Sequence, residues 1–239
     1  MSQETHNQPT WGVSTAVIGS VVAAVFSQVL FAIGWQITNS DKELDFGLLD
    51  PWQILGVNVI IGVLTLLIMA YFIRRSGGKY QQLGFQKFSL VSKANLKKLF
   101  GVFGVYIVVS TVAFMLMGLF VSESTLEQAQ DTGYNGVAGW GSLVPVFIGL
   151  IFVAPIVEEL LFRGFMFRGL RKKLAFWPSA IISSLLFAVL HLQLNVGVNV
   201  FFMALAGCWL LEKTGSIYSS MLLHILKNLV AFSLVFVFV

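Results

Sequence analysis

The sequence predicts an all-α integral membrane protein, a helical bundle of about seven to eight transmembrane helices. Of its 239 residues, 57% are hydrophobic and only 11% are charged, whereas roughly 25% are charged in an ordinary soluble domain. The mean hydropathy is +0.85. A soluble globule of this size needs more polar residues to cover its surface. The composition therefore excludes a soluble enzyme, a disordered chain and a disulfide scaffold.

Seven apolar segments are long enough, or nearly so, to cross a bilayer core, which takes about 20 residues of helix. They cover roughly 12–38, 51–73, 99–121, 142–167, 178–194, 197–211 and 216–238. The fifth and sixth are short, and polar residues interrupt the last. We divide this one membrane domain into N-terminal helices and loops, residues 1–140, and core helices that carry the polar motifs, residues 141–239.

The charges in the loops predict the orientation in the membrane. Thirteen of the fifteen Lys and Arg residues lie in alternate loops or at their membrane edge. The opposite loops hold seven acids, which are Asp41, Glu43, Asp45, Asp50, Glu123, Glu127 and Asp131. Lys and Arg are enriched in cytoplasmic loops. We therefore expect a multi-pass protein of the cell membrane, with the lipid bilayer as a partner, no nucleic acid, and a cytoplasmic N-terminus.

A few ionisable residues lie inside the apolar segments, and they are the candidates for function. They are Glu158, Glu159, Arg163, His191, His224 and Lys227, with Asn228 as a polar neighbour. A charge near the bilayer centre costs about 2.5–3.5 kcal/mol on insertion scales. Such residues by default face the bundle interior and mark a functional site. Estimated depths place Glu158, His224 and Asn228 between the cytoplasmic face and the midplane, and His191 deeper. This placement predicts substrate entry from the cytoplasmic side or laterally.

Spacing separates the two adjacent glutamates. Glu159 and Arg163 are four residues apart, so they share a helical face and can form an ion pair. Glu158 points about 100° away from Glu159 and has no local partner, so it is a candidate base or acid. Pro155 lies three residues earlier and removes a backbone hydrogen bond, which predicts a bend near the carboxyls. A purely structural ion pair is the alternative for Glu159 and Arg163.

The histidines have two interpretations each. His191 follows an apolar run, where a histidine often only joins two helices. His224 and Asn228 are four residues apart on the last segment, with Ser220 one turn earlier on that face. A histidine beside an asparagine can donate hydrogen bonds to a developing oxyanion, or can equally hold two helices together. Lys227 points to another side, where it can extend to the membrane surface or pair with an acid.

Several chemistries are excluded by missing motifs. Histidine occurs only at positions 6, 191 and 224, so no His-Glu-x-x-His zinc motif exists. All Asp residues lie in loops or at a span edge, so no intramembrane aspartyl pair is available. No serine elbow, P-loop or dinucleotide fingerprint appears. Cys208 is the single cysteine, so no intramolecular disulfide can form.

Three motifs lie in order within residues 142–232. They are Glu-Glu-x-x-x-Arg at 158–163, Phe-x-x-x-His at 187–191 and His-x-x-x-Asn at 224–228. Together they resemble the motifs of the CAAX protease and bacteriocin-processing (CPBP) family, also called Abi or type II CAAX prenyl endopeptidases. The resemblance implies an intramembrane endopeptidase, with residues 141–239 as its catalytic core.

The resemblance also implies roles for individual residues. In the family, the first glutamate of the pair and the histidine of the second motif activate a water molecule, which implies Glu158 and His191 here. The last motif, here His224 and Asn228, stabilises the oxyanion. A metal-free mechanism without a cofactor is the favoured account. Two histidines and a carboxylate can also hold a divalent metal such as zinc, which is the competing account.

The remaining implications concern the supporting pair and the substrate. The second glutamate and the arginine, here Glu159 and Arg163, support the site. The substrate is expected to be a peptide or membrane protein, in bacteriocin maturation, immunity or CAAX processing, and the oligomeric state stays open. The alternatives are a catalytically silent scaffold or bacteriocin-immunity protein and, third, a small transporter that uses Glu158 and the histidines as a proton relay.

Overall fold

The all-α membrane fold is confirmed. The computed structural model describes residues 8–39, 45, 48–89, 92–126, 128, 134 and 139–237. Within these ranges the regular structure is helical and includes six helices long and apolar enough to cross a membrane. They are α1 (Val13–Thr38), α2 (Pro51–Arg75), α3 (Lys93–Met117), α5 (Gly141–Arg171), α7 (Leu194–Thr214) and α8 (Ile217–Phe236).

Two shorter α-helices and a 3₁₀ turn at Tyr80–Leu83 complete the described fold. Helix α4 (Glu123–Leu126) is a single turn after α3, and the apolar α6 (Phe176–Val189) has 14 residues. All seven predicted segments are therefore helical. The boundary between the fifth and sixth differs from the prediction, because α6 ends at Val189 and α7 begins at Leu194. Leu192 lies between them with φ at 56°, a left-handed conformation that interrupts a helix.

Local sequence signals explain where some helices begin and end. The Asp50 carboxylate caps α2 by accepting hydrogen bonds from the backbone N–H groups of Trp52 at 2.8 Å and Gln53 at 3.1 Å. The Gln53 side chain accepts in return from the Asp50 N–H at 3.0 Å, and Pro51 holds the first helical position. This is a complete capping box. Helix α7 ends at Gly215, whose φ of 68° glycine adopts readily.

The loops rich in Lys and Arg meet at one end of the bundle, which we call the basic end. The backbone N–H of Ile217 donates to the Gly84 carbonyl at 2.9 Å. Arg171 donates two hydrogen bonds to Glu212, at 2.6 and 3.1 Å. These contacts join the loop after α2, the end of α5 and the turn between α7 and α8.

The opposite end, which we call the acidic end, carries Asp50 and Glu123. The Asn195 amide joins α7 to this end by donating to the carbonyls of Leu126 at 3.1 Å and Gln128 at 2.7 Å. Four predicted acids lie outside the described residues, namely Asp41, Glu43, Glu127 and Asp131. The chain is a multi-pass membrane protein, while a cytoplasmic basic end and N-terminus stay predictions from the positive-inside rule.

Helix α5 is the central element. Its stretch Leu160–Phe167 is buried on every side, and apart from Arg163 it is apolar all round, as expected for a buried helix. Glycines allow its neighbours to approach closely. A Cβ at Gly164 would lie 2.9 Å from the Cδ1 of Ile217, and one at Gly169 would lie 2.5 Å from the Cβ of Ala16. Substitution of either glycine would therefore separate packed segments.

The backbone of α5 widens twice beside the glutamate pair. Gly149–Val153 and Leu160–Phe167 are π-helical, and Ala154–Glu159 between them is α-helical with Pro155 near its start. Single π turns within helices occur frequently at functional sites. The sequence predicted a local disturbance at Pro155 but not these two wider stretches.

Candidate active site

Glu159 is the centre of a buried polar cluster between α5 and α8. Its Oε1 atom lies 3.2 Å from Arg163 Nη1 and 3.1 Å from His224 Nδ1. Its Oε2 atom accepts a hydrogen bond from the Ser220 hydroxyl. All four side chains are buried. Because an ionised carboxylate has about four acceptor sites, Glu159 is well occupied as a fixed acceptor.

Arg163 connects this cluster to two further helices. Its guanidinium carbon lies 4.5 Å from the centroid of the Phe187 ring on α6, within the range of a cation–π interaction. Its Nη2 atom lies 3.9 Å from the Met203 sulfur on α7. The arginine therefore holds α6 and α7 against the Glu159 cluster.

Glu158 lies on the other side of α5, as its position next to Glu159 predicts. Its side chain keeps 31% of its surface exposed, and its Oε2 atom lies 3.7 Å from His224 Nε2. His224 therefore lies between the two carboxyls, with Nδ1 at Glu159 and Nε2 toward Glu158.

A cavity of about 510 Å³ lies beside Glu158, between α1, α2, α5 and α6. This volume is within the usual range of ligand pockets, about 300–1,000 Å³. Both Glu158 and His191 line it. Its lining also reaches Ile54, near the start of α2, and Gln193, in the turn before α7. The cavity therefore extends from Glu158 toward the acidic end. His191, which the sequence places deeper than Glu158, lines it on that side.

His191 has one ring nitrogen that can accept a hydrogen bond from a substrate or water. Its Nδ1 atom lies 3.0 Å from the Phe187 carbonyl oxygen. Because a carbonyl only accepts, we assign the ring proton to Nδ1, which leaves Nε2 as an acceptor. The Phe187 ring lies 4.8 Å from the His191 ring and 6.1 Å from the His224 ring, centroid to centroid. Phe187 therefore separates the two histidines.

Asn228 satisfies a backbone carbonyl of α5. Its Nδ2 atom donates to the Leu150 carbonyl at 2.7 Å. In this π stretch, the Ala154 N–H donates to the Gly149 carbonyl, five residues back. The Leu150 carbonyl would require the N–H of residue 155 in the same register, and Pro155 has none. This contact joins α8 to α5, and the oxyanion role of Asn228 stays a prediction that rests on its other amide hydrogen.

Replacement of Asn228 tests this contact. We expect Asn228→Leu to lower the free energy of unfolding by about 1–3 kcal/mol, because the Leu150 carbonyl loses its donor in a dry environment. Thermal unfolding in detergent, followed by tryptophan fluorescence, measures the loss. The control is Pro155→Ala, which restores a backbone N–H. The double variant should lose less free energy of unfolding than the sum of the two single losses. Strict additivity would contradict the hydrogen bond from Asn228 to the Leu150 carbonyl.

The geometry gives no ready metal site. A catalytic zinc has three protein ligands at about 2.0–2.3 Å. Among the described residues, no group of three or more His, Cys, Asp and Glu side chains is arranged to hold a metal ion. The Nδ1 atoms of His191 and His224 already face the Phe187 carbonyl and Glu159.

Sequence reasoning missed the roles of several residues in this cluster. It placed Ser220 on the face of His224 and gave it no role, although its hydroxyl binds Glu159. It also missed Gly207 of α7, where a Cβ would lie 2.5 Å from the Ser220 hydroxyl oxygen. The spacing of Ser220 and His224 was an available signal. The requirement for glycine at 207 arises only from the approach of α7 to α8.

One comparison with known proteins bears on this site. Residues 139–230 match the family model for type II CAAX prenyl endopeptidase Rce1-like proteins. The match contains all three motifs and nearly coincides with the range of the predicted resemblance. Neither the curated proteins nor the solved structures gave a significant match to the chain. The resemblance inferred from the motifs is confirmed.

The helical membrane fold is consistent with the family match. Six helices can cross a membrane, and the matched residues begin at α5 and extend into α8. The match supports an intramembrane endopeptidase of the CAAX type in general. It does not identify the catalytic residues, which must be argued from geometry. Residues 139–230, which carry the three motifs, are therefore similar to the type II CAAX prenyl endopeptidase Rce1-like family.

Proposed function

We propose that this chain is an intramembrane endopeptidase in which Glu158 activates the water that cleaves the peptide bond. The observation that carries the proposal is the position of Glu158 and His191 on one cavity, while Glu159 is occupied by its partners. A base must reach the water that it deprotonates. Glu158 has that access, and Glu159, which is fully buried, does not.

In the proposed first step, a water molecule is held between the Glu158 carboxylate and His191 Nε2. Glu158 takes one proton as the water oxygen attacks the carbonyl carbon of the substrate. The carbonyl oxygen becomes an oxyanion and requires hydrogen-bond donors. We propose that His224 is one donor in its imidazolium form, in which Nδ1–H donates to the Glu159 carboxylate and Nε2–H points to the oxyanion. The second amide hydrogen of Asn228 is the other proposed donor.

In the second step, the tetrahedral intermediate collapses. The carbon–nitrogen bond breaks, the carbonyl re-forms, and the proton on Glu158 passes to the leaving amine. The products are a carboxylic acid and an amine, and Glu158 is again ionised. Glu159 and Arg163 act as positioning residues, because they orient His224 and contact no reacting atom. Burial of this pair fixes the Nδ1 partner of His224 throughout the cycle.

The substrate class follows from the family name, on which this part of the proposal rests. We propose a peptide that ends in a prenylated Cys-aliphatic-aliphatic-X sequence. The test is cleavage of a fluorogenic prenylated peptide of this kind by the purified full chain in detergent, with the unprenylated peptide in parallel. Cleavage of the prenylated peptide alone supports the CAAX type. Equal cleavage of both supports a general peptidase, and cleavage of neither contradicts the proposed function.

The metal-free mechanism makes a separate prediction. We expect the cleavage rate to stay within about twofold after incubation with a strong chelator, because no proposed step uses a Lewis acid. Elemental analysis of the purified protein should give less than one zinc per chain. Loss of activity in chelator that returns on addition of zinc would show instead that Glu158 and the histidines act as metal ligands.

A further inference from the structure

We propose that Asn58 of α2 binds the backbone of the substrate peptide beside Glu158. This inference rests on the proposed endopeptidase function. Asn58 lies outside residues 139–230, which match the family, and it lines the cavity that Glu158 lines. It would make the N-terminal helices part of the substrate site.

One stripe of α2 forms the wall of the cavity opposite α5. Its members recur at helical spacing and are Ile54, Asn58, Ile61, Gly62 and Thr65. Three of the five have no polar side-chain atom. A peptide in such a cavity has few partners for its N–H and C=O groups, and each unpaired group costs free energy in a dry environment. A polar side chain at this wall therefore has a specific use in binding a peptide.

The polar groups of this wall differ in their existing contacts. The Thr65 hydroxyl lies 2.9 Å from the Ser27 hydroxyl and 2.9 Å from the Ile61 carbonyl oxygen, so it is engaged between α1 and α2. Asn58 uses one amide hydrogen on the Tyr134 hydroxyl, at 3.3 Å. Its carbonyl oxygen and second amide hydrogen can then pair with the C=O and N–H of a peptide.

Tyr134 holds Asn58 in place without lining the cavity. Its side chain is buried and packs against Gly149 of α5, where a Cβ would lie 3.3 Å from the Tyr134 ring carbon that carries the hydroxyl. A side chain oriented by such a contact loses less conformational entropy when it binds a ligand. Asn58 is therefore oriented before the substrate arrives.

The helical rise between Gly62 and Asn58 gives the position of Asn58 relative to the bond that Glu158 would cleave. At Gly62, a Cβ would lie 3.0 Å from the Cγ2 of Val157, so Gly62 is level with the residue before Glu158. Asn58 is four residues away, about 6 Å at 1.5 Å per residue. An extended peptide covers this length with about two residues. Asn58 would therefore contact the substrate about two residues from the cleaved bond, on the side toward the acidic end.

The experiment compares KM and kcat on the prenylated fluorogenic peptide. We expect Asn58→Leu to raise KM by about 2–12-fold, the value of one lost hydrogen bond, with kcat within about twofold. Asn58→Ser, which retains a polar group without added bulk, should fall between wild type and Asn58→Leu. Tyr134→Phe removes the anchoring hydroxyl but leaves the Asn58 amide, so its KM should change less.

The matched control is Asn199→Leu on α7. Asn199 accepts a hydrogen bond from the Tyr106 hydroxyl at 3.0 Å, and it does not line the cavity. Asn199→Leu therefore also loses an intramembrane asparagine–tyrosine contact, and its KM should stay near the wild-type value. An unchanged KM in Asn58→Leu, or an equal rise in Tyr134→Phe and Asn58→Leu, would overturn the inference.

A binding measurement separates this inference from the proposed function. Fluorescence anisotropy of the labelled prenylated peptide with Glu158→Gln protein reports affinity without cleavage. The Kd should rise when Asn58→Leu is added to Glu158→Gln. If the wild-type chain cleaves no peptide, the proposed function fails. If it cleaves and Asn58→Leu changes neither KM nor Kd, only the role of Asn58 fails.

Discussion

We expect Glu158→Gln to lower kcat on the prenylated peptide by about 10²–10⁴-fold, the usual contribution of a general base. Glutamine has nearly the same shape and cannot take the proton from water. KM should change little, because the variant retains the cavity and the Asn58 amide that is proposed to bind the peptide. The measurement is steady-state cleavage in detergent, with mass spectrometry of the product to show that the same bond is cut.

The fold should survive this substitution. Glu158 is partly exposed to the cavity, and loss of its charge leaves Glu159 with its three partners. The unfolding midpoint of Glu158→Gln is therefore expected near that of the wild type. Glu123→Gln is the control, since Glu123 is exposed at the acidic end, and its activity should be unchanged. Full turnover by folded Glu158→Gln would exclude the proposed mechanism, and a partner-binding scaffold would then explain the cavity better.

The largest effect on stability is expected from Arg163→Met. The ion pair of Arg163 with Glu159 is fully buried, and removal of one member leaves a buried charge uncompensated. Such losses cost about 3–5 kcal/mol. Methionine approximates the length of the arginine and retains apolar contact with Phe187, so the loss mainly reports the missing charge. Unfolding in mixed micelles of dodecyl maltoside and SDS measures the free energy.

Two further variants make this prediction specific. The double variant Glu159→Gln with Arg163→Met removes both charges and should be less destabilised than the two single losses combined. Arg171→Met breaks the half-exposed pair with Glu212 and should cost about 0–1 kcal/mol, as surface pairs do. If Arg163→Met costs no more than Arg171→Met, the buried pair does not stabilise the fold as we infer.

Part of the site could be predicted from the sequence, because it depends on the spacing of residues within one helix. Glu159 and Arg163 are four residues apart and form the expected contact. Glu158, one residue away, faces the cavity while Glu159 is buried. Helical periodicity alone determines these relations. The roles of Glu158 and His191 as catalytic residues stay predictions that the Glu158 variant addresses.

Contacts between helices could not be predicted in this way. The sequence did not predict that His224 lies between the two carboxyls or that Asn228 donates to the Leu150 carbonyl. The oxyanion role of both residues stays a prediction. The direction of a side chain on one helix does not reveal which helix lies opposite. Asn58 had no role in the motifs, because its relation to Glu158 arises only when α2 packs against α5.

The sequence by itself determined the membrane fold, the charged pair on one helix and the resemblance of residues 139–230 to a known family. These follow from composition and from spacing within single segments, since a helix has a fixed period and the bilayer a fixed thickness. Only the tertiary structure decided where the cavity lies, which residues satisfy the carbonyl that Pro155 leaves without a donor, and which histidine lies between the glutamates. These depend on the packing of α1, α2, α5, α6 and α8, which no single segment encodes. Side-chain partners across helices are set by shape and distance in three dimensions.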